Sequence, residues 1–145
     1  MFNFEKLRAI GMMVAKQAQE KAAANYEAAN DIIDMSPLLK VWKPGTMANP
    51  EKYARGDVRI HDDMPWWCVT GHAHSGEMGW QPGGAGALWA LYHGRDAAHA
   101  LPFAAEGHNP YMAGHYCTEN GTAYRCKRDN VVHAPSVLPE AWEAE

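Results

Sequence analysis

Sliding the chain against itself by 58 positions lays Tyr53, Gly56, Trp66 and Cys68 on Tyr111, Gly114, Tyr124 and Cys126 with no gap. A period of that size means two like units in series, each too small to build a large core. Each copy reads Tyr-x-x-Gly, an apolar strand, a polar turn, then a strand of form aromatic-x-Cys, closed by a late Trp (Trp89 and Trp142). In the second copy Asn120-Gly121 supplies the turn, because both central residues of a type I′ turn need positive φ. Pairing across that turn sets Cys117 opposite Tyr124 and His115 opposite Cys126, so the expected core face carries Cys117, Tyr124 and Cys126, with Trp142 completing it. In the first copy His61-Asp62-Asp63-Met64-Pro65 reads as a longer turn. Val58 arrives one residue sooner after Gly56 than Cys117 does after Gly114, which offsets the extra turn length. Tyr53, Val58, Trp66 and Cys68 are the expected core there.

Charge and composition narrow the partners. The formal net charge is −4 and the isoelectric point about 6.0. Duplex nucleic acid is therefore excluded as a partner, since its binding needs Lys and Arg to neutralise phosphates. Six Trp and six Tyr at a mean hydropathy of −0.44 suit exposed stacking platforms, and equally suit small cores filled by large rings. Three Cys make a poor disulfide framework, and their spacing fits no zinc ribbon, so all three are expected reduced and packed. Neither a signal peptide nor a membrane-spanning stretch is legible, which implies synthesis in a cytoplasm and no membrane insertion.

Taken in order, the chain reads as an α+β protein. Residues 1–36 are an expected N-terminal helix, rich in Ala, Glu, Lys and Gln, running from Phe2 to about Asp34. Phe4, Leu7, Gly11, Val14, Ala18, Ala28, Ile32 and Met35 give it an imperfect coiled-coil seam for oligomerisation or docking; the alternative is an amphipathic helix folded back on its own units. Ser36-Pro37 ends it. Residues 37–92 form the first small antiparallel β module, 93–107 a connector, and 108–145 the second module.

The order Trp42, Tyr53-Ala-Arg-Gly56-Asp-Val58, Trp66-x-Cys68, Trp80-x-Pro82, Leu88-Trp89 resembles the small chitin- and cellulose-binding modules of the family five/twelve carbohydrate-binding type. The second copy, Asn109-Pro110-Tyr111-x-x-Gly114, Asn120-Gly121-x-x-Tyr124-x-Cys126, Pro135, Pro139, Trp142, resembles them too. The whole layout, a helical lead followed by two such modules ending near a terminal Trp-Glu, is similar to small bacteriophage virion proteins with carbohydrate-binding-like modules, and the resemblance covers residues 41–145. The resemblance implies a non-enzymatic tail, fibre or decoration protein, located in the virion, that aids attachment to host surface glycans and contacts other virion proteins. A homotrimer is the natural oligomer for such a part. The alternative is a structural virion protein that binds no sugar.

Sugar binding in such modules stacks a pyranose face on an exposed ring. If Trp66 is core, alternation turns Trp67 outward. Trp67, Trp80, Trp89 and Tyr92 are thus the candidate platform of the first module and Tyr116 that of the second, the alternative being that these rings pack internally or against a neighbour. His72 and His74, near His61, Asp62 and Asp63, are the best available metal ligands, although a solvated loop is the commoner role for such a pair. No cofactor is implied. Catalysis lacks a motif: Asp62-Asp63 are adjacent and cannot flank a sugar from two sides, and Cys68 and Cys126 point inward.

Overall fold

The computed structural model describes residues 29–84 and 87–145. They fall into two compact units, one ending at Tyr92 and one running His93–Glu145. Among the described residues there are nine strands in three sheets and a single α-helix of six residues, so the described part is mostly β. That overturns the α+β class. Of the expected long helix only Ala29–Asp34 (α1) lies among the described residues; residues 1–28, which carry the seam positions Phe4 to Ala28, lie outside them. Ile32 and Met35, expected on the same seam, are buried inside their own unit, Ile32 against Trp67, Ala90 and Tyr92 in its core. A 3-10 turn, Ser36–Leu38, follows, with Pro37 where continued α geometry would clash.

In the first unit β1 (Glu51–Tyr53) pairs antiparallel with β4 (His72–His74). A second sheet has the order β2-β3-β5, from Val58–His61, Met64–Cys68 and Trp89–Leu91. Residues 40–42 run beside the free edge of β2: Ile60 N–H donates to Lys40 O and Trp42 N–H to Ile60 O, both at 2.8 Å. This outward pairing explains how β3 tolerates Pro65. Ile60 and Pro65 face each other as a non-hydrogen-bonded pair, so the missing Pro N–H costs β2 no ladder bond.

The second unit is one sheet of order β6-β7-β8-β9, made of Leu101–Pro102, Tyr116–Glu119, Thr122–Cys126 and Trp142–Ala144. Its core is Tyr111, Cys117, Cys126, Val131, Ala141 and Trp142, with Phe103, Tyr124 and Leu138 packed against it. Rings fill most of that volume. Tyr111 stacks on Phe103 at 5.1 Å and meets Trp142 edge-on at 5.2 Å. Each such pair adds roughly 0.5–1.5 kcal/mol beyond area burial, which matters in so small a core. Residues 93–107 carry β6 and Phe103 and so form part of this unit's own fold.

The hairpins of the two units share their local design. Asp62 and Asp63 (φ 52 and 60) turn β2 into β3 as Asn120 and Gly121 (φ 52 and 81) turn β7 into β8. Both turns have two residues, because His61 pairs with Met64 and Glu119 with Thr122. The longer first turn expected from Pro65 is corrected, and with it the alignment of Val58 with Cys117: Val58 faces Trp67 as Tyr116 faces Arg125. Cys117 does lie opposite Tyr124. Gly56 N–H donates to Cys68 O at 2.8 Å and Gly114 N–H to Cys126 O at 2.9 Å. The Cys68 thiol reaches Thr70 O at 3.1 Å, and the Cys126 thiol Arg128 O at 3.0 Å.

Candidate functional site

The expected stacking platform is mostly interior. Trp67 is only 7 % exposed and packs with Ala29, Ile32, Leu39 and Val58, which corrects its outward placement. Alternation sends Trp66 and Trp67 to opposite faces of β3, but β3 is the central strand of its sheet and both faces are covered. Trp89 and Tyr92 are buried as well, Trp89 edge-on to Tyr53 at 5.1 Å and Tyr92 within the core cluster. Tyr116 is half-buried, its hydroxyl donating to Glu145 Oε1 at 3.1 Å.

Trp80 is the candidate ring that stays open, at 38 % exposure. Its position follows from a tight loop: Gly84 N–H donates to Gln81 O at 2.8 Å, and a Cβ on Gly84 would lie 2.7 Å from Gly79 O. Only glycine closes that loop. The Trp80 N–H also donates to His74 Nε2 at 3.3 Å, while His74 Nδ1–H donates to Pro44 O at 2.7 Å. Met47 and Met78 are exposed, both thioethers gathered on the Ser75 hydroxyl at 3.7 and 3.6 Å. Met47 and Met78 were not legible as site residues, because only the pairing of Glu51 with His74 brings their segments together.

The histidine pair serves this scaffold. Both ring nitrogens of His74 are engaged, and His72 Nδ1–H donates to Thr70 O at 2.7 Å. His72 lies half-buried beside the Tyr53 and Trp89 rings. Among the described residues no set of three His, Cys, Asp or Glu could hold a metal ion.

The expected core residues Tyr53, Val58, Trp66, Cys68, Cys117, Cys126 and Trp142 are buried, and Tyr124 is partly so. Burial pushes the Cys68 thiol up to about 11, with Asp57 adding to it, and the Cys117 thiol up to about 12. Neither is a nucleophile at neutral pH. Asp62 and Asp63 occupy the hairpin turn.

The second unit holds a buried polar chain that the sequence did not single out. Asn109 Nδ2 donates to His93 Nε2 at 3.3 Å, His93 Nδ1–H donates to His115 Nδ1 at 3.0 Å, and Met112 N–H donates to the same nitrogen at 3.2 Å. That order requires both imidazoles to be neutral. Burial, the neighbouring imidazole and Arg95 hold His93 well below the usual range; burial and Arg95 bring His115 down to about 4.

No protein-family model matches the chain, and no curated protein does. No helix among the described residues is long and apolar enough to cross a membrane.

Proposed function

We propose that this chain is a non-enzymatic bacteriophage virion protein whose carbohydrate-binding-like units aid attachment to glycans on the host surface. The observation that carries the sugar contact is the exposed ring of Trp80, whose main chain is anchored to His74 and whose ring meets His72 edge-on at 6.5 Å. An exposed aromatic face suits a pyranose ring, which offers axial C–H groups on one side and hydroxyls at its rim. The virion placement rests on the resemblance of residues 41–145. A second reading, a structural assembly or decoration protein that binds no sugar, is favoured by the burial of Trp67, Trp89 and Tyr92.

A glycan array carrying chitin, cellulose and wall polysaccharides tests the first reading, alongside a mass measurement of the oligomer. Trp80→Ala should cut retention about fivefold while leaving the circular dichroism unchanged, because the lost stacking is worth on the order of 1 kcal/mol. Equal retention by wild type and variant would remove Trp80 from the account. Failure of the wild type to retain any glycan would select the structural reading.

A further inference from the structure

A groove of about 490 Å³ opens in the first unit between residues 40–43 and strands β1 and β2, lined by Lys40, Val41, Lys43, Glu51, Tyr53 and Arg59. Three cationic side chains face one carboxylate there, in a chain whose formal net charge is −4. The volume falls within the roughly 300–1,000 Å³ typical of small-ligand sites.

Of the three cations only Arg59 has an internal ion pair among the described residues, with Asp57. Lys40 and Lys43 are exposed, and neither forms a salt bridge among the described residues. Arg59 is largely covered and held in place: Nη1 donates to Val58 O at 2.8 Å, and the guanidinium carbon lies 5.3 Å from the Tyr53 ring centroid. Its nearest acid, Asp57 Oδ2, is 3.8 Å from Nη2 and is itself bonded to Ala54 N–H at 2.8 Å. The guanidinium therefore keeps donors for an incoming acceptor. The wall beneath is fixed as well, because the Tyr53 hydroxyl accepts from Lys43 N–H at 2.9 Å and donates to Lys43 O at 2.7 Å. Val41, 61 % exposed, supplies an apolar edge beside these charges.

We infer that this groove binds an acidic saccharide, whose anionic substituent lies among Arg59, Lys40 and Lys43 and whose ring rests against Val41. A carboxylate, sulfate or phosphate would satisfy the same donors, and a planar carboxylate best fits the flat guanidinium fork. The assignment rests on reading the first unit as sugar-binding, but it uses a surface that Trp80 does not line.

Calorimetric titration of the full chain provides the test, with trigalacturonate, its methyl ester, a sulfated trisaccharide and inorganic phosphate as separate probes. The acid should bind at least about tenfold more tightly than the ester and weaken in high salt. The double variant Lys40→Gln, Lys43→Gln should lose about tenfold in affinity with its circular dichroism intact, since both side chains are exposed and only their charge is removed. Arg59→Lys should also weaken binding, by exchanging the fork for a point charge. The relative affinities of carboxylated and sulfated sugars identify the preferred group. Equal binding of acid and ester, or affinity untouched by the lysine variant, overturns the inference. Inorganic phosphate binding as tightly as the trisaccharides would overturn its saccharide part. Neutral-sugar retention equal in wild type and Trp80→Ala, with acid binding in the groove preserved, would remove the Trp80 reading and leave the groove standing; retention lost in Trp80→Ala with no acid binding by the wild type would remove only the groove.

Discussion

His93 and His115 lie side by side in the second unit, and their neutrality has a consequence for pH. An unfolded chain takes up protons near the ordinary imidazole value of 6.5, whereas folded His115 does so only at about 4. Between those values the unfolded state holds more protons, so stability is complete above about 6.5, falls as pH drops and levels off below about 4. Asp129 opposes the shift and Arg95 reinforces it. Urea unfolding at pH ~7.5 and ~4.5 should differ by at least about 1–2 kcal/mol, discounted for solvent screening, and His115→Gln should reduce the difference while leaving the part that buried His93 contributes. A variant with the same pH slope as wild type would show that His115 does not set it, leaving His93 and carboxylates elsewhere. The histidine chain was illegible because His93 reads as connector in the sequence and meets His115 only after Gly94 bridges to Tyr116. Trp67 failed for a different reason: alternation assigns a side chain to a face, and whether that face is wet depends on what else packs there.

The two hairpins test the same turn with different residues. Gly121 sits at φ +81 with open space where a Cβ would go, so Gly121→Ala costs only backbone strain, about 1 kcal/mol in a thermal melt. Asp63 occupies the matching position at φ 60, and Asp63→Gly should relieve a similar strain, offset in part by added freedom in the unfolded chain. Changes of the same sign in both variants would mean that the turns are not equivalent. Asn120-Gly121 was legible because glycine advertises positive φ. Asp62-Asp63 were legible only as part of a longer turn: Asp tolerates that region without announcing it, and Pro65 looked like part of the turn, although it lies within β3.

At the scale of the molecule, the three cysteines are free and wholly covered, two in the second unit and one in the first. Native protein should therefore not react with an aromatic disulfide reagent at neutral pH, and all three thiols should react in denaturant. Fast labelling of one thiol without denaturant would point to local opening around it. The repeat of Tyr, Gly, aromatic and Cys foretold two hairpins with aligned ends; the structure adds equal two-residue turns and, in each, a thiol that bonds a carbonyl two residues on. It could not foretell their surroundings, since α1 covers one face of the first sheet while β6 extends the second. Two-residue turns leave the strands no slack. One amino acid inserted at either bend would transpose inward and outward side chains along the rest of the strand. The molecule can therefore change its chemistry by exchanging residues, but it has no room to change the length of either bend.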